Sequence, residues 1–195
     1  MAPCCIAEHF HFSDIASMKS ASHPNPENWQ GNSIPLGPVA ALEILDFEHG
    51  RAAVSRWKMD GIAMDYVYSE FTKNIAFPAG RDDEKVRLHF GLRGNCDVFH
   101  QQLGQRFESI GMQHNFMYSK GFDIEVHNNS MVVETFGIQF DTSVFLQYTQ
   151  NATDPLKRFA DAIVSGKSSL FSPAWPSVDM PIQKVITQIM HCKYE

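Results

Sequence analysis

The sequence predicts a mainly β domain followed by C-terminal helices, and three observations carry that expectation. From about residue 50 to residue 141, apolar residues alternate with polar ones in short runs, the period of a strand that lays one face on a core. Turn formers interrupt those runs every ten residues or so, at Asp60-Gly61, Pro78 and Gly80, Arg93-Gly94-Asn95, Leu103-Gly104, Lys120-Gly121 and Asn128-Asn129. After Phe140 the spacing of apolar residues becomes helical. Six or more strands so spaced argue for a closed or sandwiched antiparallel β domain and against a βαβ fold.

Bulk properties narrow the function classes. With 44% hydrophobic and 19% charged residues in 195, the chain can bury a sizeable core as one domain with a helical appendage. A net charge of −6 argues against holding DNA directly, because phosphate neutralisation needs clustered Lys and Arg. The basic pair Lys157-Arg158 is as long as such runs get. No stretch approaches the roughly 18 apolar residues of a membrane span, and the first residues lack the basic and apolar regions of a signal peptide. Cys4, Cys5, Cys96 and Cys192 make neither a disulfide framework nor a CxxC zinc pair. A reduced, cytoplasmic setting follows as the expectation.

Taken in order, residues 1–35 read as a loosely structured N-terminal arm, with turn formers concentrated over 20–33. A β domain is expected over 36–141. In it Ile62, Met64, Tyr66 and Tyr68 alternate with Ala63, Asp65, Val67 and Ser69, and Val86, Leu88, Phe90 and Leu92 with Arg87, His89, Gly91 and Arg93. Met112, His114, Phe116 and Tyr118 share a further strand face, as do Phe122, Ile124 and Val126, and Phe136, Ile138 and Phe140. Such alternation leaves the second face toward solvent or another sheet. Helices are expected over 142–195. Asp141 or Thr142 caps a short one bearing Val144, Phe145 and Tyr148. Asp154 then Pro155 opens a second, with Leu156, Phe159, Ala160, Ile163 and Val164 on its apolar face and Gly166 as its stop. Asp179 caps a third, with Pro181 in its first turn and a stripe of Ile182, Val185, Ile186, Ile189 and Met190.

The runs Glu134-Thr-Phe-Gly-Ile-Gln-Phe140 and Pro155-Leu-Lys-Arg-Phe-Ala-Asp-Ala-Ile163 carry a family resemblance. Gly166, Leu170-Phe171, Val185-Ile186 and Ile189-Met-His-Cys-Lys-Tyr194 continue it, and Gly111-Met-Gln-His-Asn115 precedes it. Over about residues 85–195 the chain is similar to the sensor domain of AraC-family transcription regulators, most of all the branch that often responds to iron-chelate siderophores. The resemblance implies a cupin-like jelly-roll (double-stranded β-helix) barrel that binds a small-molecule effector, with trailing helices that pair two protomers as a homodimer. It also implies that DNA is a partner only through a C-terminal helix-turn-helix domain, missing from the sequence up to Glu195.

Jelly-roll barrels also host metal enzymes, so the histidines need sorting. Such a site takes two histidines two apart on a strand, a carboxylate and a further histidine, leaving an open coordination position. His9-Phe10-His11 is the one such pair and lies in the arm; His89, His100, His114 and His127 each stand alone, as half-exposed strand histidines. No Gly-x-Ser-x-Gly elbow, Walker-type loop or His-Glu-x-x-His motif is present. No catalytic residue, metal or cofactor is therefore expected. For the effector, Trp57, Tyr66 and Tyr68 are expected to wall a pocket in the barrel, with Arg93 or His114 orienting an anionic or hydroxylated ligand; the alternative is that the rings fill the core. The stripe Ile182, Val185, Ile186, Ile189 and Met190 is expected to pack on its own barrel or to pair two chains. A small metal-dependent cupin enzyme is the competing reading, and a stand-alone interaction module the third.

Overall fold

The computed structural model describes residues 41–191. Eight strands come first: β1 (Ala41–Phe47), β2 (Gly50–Met59), β3 (Ile62–Phe71), β4 (Ala76–Arg93), β5 (Asn95–His100), β6 (Gln105–Ile110), β7 (Gln113–Asn128) and β8 (Val132–Asp141). Helices α1 (Thr142–Tyr148) and α2 (Asp154–Val164), the two-residue strand β9 (Ser169–Leu170) and helix α3 (Met180–Met190) follow. The expected class, mainly β with helices at the C-terminal end, is the class observed. The arm expected over residues 1–35, with His9 and His11, lies outside the described residues.

Pairing is nested: β3 with β8, β4 with β7, β5 with β6, all antiparallel. That is one long hairpin folded over on itself, which is how a jelly roll is wound. Cross-pairs β4–β8 and β5–β7 close the folded layers, giving the order β1-β2-β3-β8-β4-β7-β5-β6. The two long strands turn the corner. Residues 76–81 of β4 pair with 122–127 of β7, whereas 84–91 pair with 113–120, and the register shifts between Arg81 and Glu84. Gly121 takes φ 78° at the same corner, a conformation that favours glycine.

Two expected turns therefore fall inside strands. Lys120-Gly121 is the bend of β7, so the two strands expected over 112–126 are one. Pro78 sits in the half of β4 that pairs with β7 alone; its missing N–H then leaves no neighbour unpaired. The turns at Gly61, Gly94 and Gly104 are as expected, with φ of 69°, 78° and 62°.

Helices cover one face of the sheet. Trp57, Tyr66, Tyr68, Phe90 and Phe136 form a buried cluster with Val178 and Ile186, and Ile182, Ile189 and Met190 of α3 pack on it. Next to it, Val86 and Tyr118 pack with Phe145 of α1 and Phe159 and Ile163 of α2. Each such side chain removed from water contributes about 1.5–3 kcal/mol, so the outer helical layer is a principal source of stability. In α3, Asp179 Oδ1 accepts from the Ile182 N–H at 3.0 Å, the expected cap. Thr153 takes the N-cap position of helix α2, one residue earlier than expected and without a side-chain capping bond, with Asp154 and Pro155 in the first turn. No helix among the described residues is long and apolar enough to cross a membrane.

Candidate ligand site in the barrel interior

The opposite face of the same strands is polar, and it faces inward. One cross-strand row runs Arg56, Asp65, Gly137, His89, Asn115 over β2, β3, β8, β4 and β7. The next row contains Ala63, Gln139, Arg87 and Met117. Beyond the bend, Arg81, Phe122, Ile124, Val98 and His100 lie on the facing surface. Contacts between the two halves show that these faces enclose one interior. Arg81 Nη1 donates to Gln139 Oε1 at 3.0 Å, the Arg87 guanidinium lies 4.5 Å above the Phe122 ring, and Ser109 Oγ is 3.4 Å from His89 Nε2.

Charges converge there. Gln139 Nε2 donates to Asp65 Oδ1 at 2.8 Å, so Arg81, Gln139 and Asp65 form a chain. Arg87, 6% exposed, pairs with Asp83. Arg56, beside Asp65 in register, donates to Glu43 at the rim at 2.9 Å. Burial raises the Asp65 carboxyl above its ordinary value even though Arg81, Arg56 and Arg87 all favour its charged form. Burial likewise lowers the Arg87 guanidinium against the pull of Asp83. Desolvation is thus the larger effect at both groups. Gly137 makes the room: a Cβ there would lie 2.6 Å from Asp65 Oδ2.

Two histidines share the interior. Burial pushes His89 down to about 4, and burial followed by the nearby Arg87 charge pushes His100 down to about 4. Both are neutral at physiological pH. His100 is fully buried, meets the Phe122 ring edge-on at 5.2 Å, and has no hydrogen-bond partner on either ring nitrogen. The expectation of half-exposed strand histidines fails for His100, because the polar phase of the alternation faces inward there and not to solvent, whereas His89 keeps partial exposure. Among the described residues no group of three or more His, Cys, Asp or Glu side chains is placed to share a metal ion.

The interior has a seam, and one side chain closes it. Strand β6 ends the sheet order, while the free edge of β7 is taken by a strap, residues 169–178. Hydrogen bonds from Phe171 N to Phe116 O, from His114 N to Pro176 O and from Val178 N to Met112 O lay the strap along β7. Asn115 clasps the backbone of Ser172 through both amide atoms. Between these points the strap turns Trp175 inward, edge-on to His89 at 5.8 Å and against Phe107 of β6 at 5.0 Å. Three residues after Trp175 the chain reaches Val178, already in the cluster beneath α3.

The side chains expected to wall the pocket lie elsewhere. Trp57, Tyr66 and Tyr68 are 9%, 6% and 5% exposed and form the floor under α3, on the outer face of the sheet. His114 stacks on Phe90 at 5.5 Å on that same side. Arg93 is exposed at the rim, 3.5 Å from Glu134, which also accepts from the Tyr66 hydroxyl at 3.2 Å. The structure does bring these residues together, but none lines the interior, because the helices take the apolar face and the barrel encloses the other. Within the expected dimerisation stripe, Ile182, Ile186, Ile189 and Met190 pack on this floor in the same chain, and Val185 remains 52% exposed. Asp65, Arg81, Arg87, Gln139 and Trp175 are not among the residues expected at the site, and His100 was expected only as a half-exposed strand histidine. The available signal was the row of charged and amide residues in the middle of strands, where a solvent-facing phase and an enclosed one read alike.

No protein-family model matches the chain, and no curated protein sequence does. Among solved structures it is similar to a putative ethanolamine utilization protein Q from Salmonella typhimurium, at 16% identity over 46% of this chain and 68% of that one, with a TM-score of 0.36. It is also similar to the AraC-like transcriptional activator CuxR, at 7% identity over 60% of this chain and 45% of that one, with a TM-score of 0.39. A cupin 2 conserved barrel domain protein from Salinispora arenicola gives 12% identity over 57% of this chain and 83% of that one, with a TM-score of 0.36.

Proposed function

We propose that the chain is a ligand-sensing domain of an AraC-type transcription regulator, and that its effector sits in the polar interior of the barrel. The observation that carries this reading is Trp175. It is inserted between His89 and Phe107 at the seam, on a strap that runs within three residues into the seat of α3. An occupant of the interior that displaces Trp175 pulls on the strap, and the strap positions α3. A ligand shifts such an equilibrium by its differential affinity for the strap-closed and strap-open arrangements. In this reading α3 carries the signal toward a DNA-binding unit, and no residue is catalytic. Pairing of two chains through α3 would use Val185 and Met180, the apolar side chains it leaves exposed.

Hydrogen exchange over the strap tests the proposal. The chain is incubated with a metabolite mixture, retained molecules are identified by native mass spectrometry, and amide protection over 169–178 is compared with the free chain. Loss or gain of protection confined to the strap and α3 supports sensing. A retained molecule that leaves this segment unchanged, or that is released chemically altered, moves the assignment to a plain binding protein or to an enzyme.

A further inference from the structure

We infer that Arg87 and His100 form an oxyanion-recognition end of the interior site, so that the effector is a small molecule bearing a carboxylate or phosphate group. The inference rests on the barrel interior being the ligand site. Both side chains flank one ring: the Arg87 guanidinium lies 4.5 Å above the Phe122 centroid, and His100 meets the ring edge-on at 5.2 Å. A neutral imidazole carries one N–H donor and one acceptor, and at His100 both are buried without a partner. Buried polar groups are nearly always met in a folded protein, by the protein, by water or by a ligand. Its alternating burial with Cys96 and Val98 on β5 turns His100 inward. Asp123, the carboxylate that acts on His100, is held by Gln102 through Nε2 at 2.5 Å.

Arg87 supplies the charge. Asp83 takes one end of its guanidinium, while Nη1 reaches only the Lys85 carbonyl at 3.4 Å. The planar fork of a guanidinium matches carboxylate and phosphate oxygens two at a time. A cation would meet Arg87 at close range, and a neutral amide can accept a hydrogen bond from the guanidinium but brings no charge to balance it. A neutral N–H donor beside a guanidinium, set on an aromatic ring, therefore selects an oxyanion.

Ring-nitrogen NMR of the uniformly labelled chain tests this with three probes of one shape: benzoate, phenyl phosphate and the neutral benzamide. At least one anion should shift the His100 ring resonances saturably and raise the melting temperature, with benzamide about tenfold weaker or worse. Which anion does so separates a carboxylate ligand from a phosphate one. His100→Gln, which keeps a donor and an acceptor, should retain binding within a few-fold, whereas His100→Leu should lose it at an equal or higher melting temperature. Benzamide binding as tightly as the anions overturns the inference, and so does a His100 ring that none of the three moves. Anion binding that leaves Trp175 in place would keep this inference and remove the sensor reading. Displacement of Trp175 by a neutral or cationic molecule would do the reverse.

Discussion

Asp65 and His89 stand on either side of Gly137 in one cross-strand row, and the missing side chain between them is what lets the Asp65 carboxylate sit inside the barrel. A methyl group at Gly137 would come within 2.6 Å of Asp65 Oδ2. Gly137→Ala should therefore cost about 1–3 kcal/mol, the range for overpacking a closed interior. Urea unfolding measures it. If the clash with Asp65 is the cause, Asp65→Ala in the same chain should recover part of the loss, and a purely additive double variant would rule that cause out.

Acid should destabilise the fold through the interior histidines. His89 and His100 are held down to about 4 by burial, against an ordinary 6.5. Between those values the unfolded chain binds protons that the folded chain refuses, so stability falls as pH drops from about 6.5 toward 4 and levels off below. The loss should be roughly 1–3 kcal/mol per histidine. Arg87 and Asp123 act on His100 in opposite directions, and Asp65, held above its ordinary 3.8, works against the trend because protonating it is easier in the fold. His100→Gln should flatten the slope of unfolding free energy against pH over this window.

Trp175→Ala should open the seam beside β6 and loosen the strap. Truncation of a large aromatic that is only partly buried should cost about 2 kcal/mol, below the 3–5 kcal/mol of a fully buried one. Hydrogen exchange should show the deprotection concentrated in 169–178 and the start of α3, with β2, β3 and β8 unchanged. Uniform deprotection would mean that Trp175 is an ordinary core residue and not the closure of a seam.

Two neighbouring positions of α3 should behave differently. Ile186, 3% exposed on the floor formed by Tyr66 and Phe136, should cost about 2–5 kcal/mol on replacement by Ala. Val185, 52% exposed, should stay within about 0.5 kcal/mol. Sedimentation of Val185→Asp reads association separately: a dimer built on α3 should dissociate, and an unchanged dimer would place the contact elsewhere.

The strands were legible from alternation, since Tyr66, Tyr68, Val86, Phe90 and Phe136 all fall in the phase expected of them. The side they face was not. A period of two says which residues share a face, and says nothing of whether that face looks into a barrel or out under helices. The aromatic phase was assigned to a pocket on its composition, yet α3 is itself apolar and needs that face for a seat. The helices were readable to within a residue because Asp179, Pro155 and Gly166 are local signals. Trp175 was not readable as a closure, because its contacts to His89 and Phe107 join residues 86 and 68 positions apart in the chain.

Fluorine NMR of the chain grown with fluorotryptophan compares the two faces directly, because Trp57 lies under α3 and Trp175 lies at the barrel seam. Addition of a retained small molecule should move the Trp175 resonance, whether or not Trp57 follows as α3 shifts. A molecule that moves Trp57 and leaves Trp175 where it was would place the ligand beneath the helix and contradict an interior site.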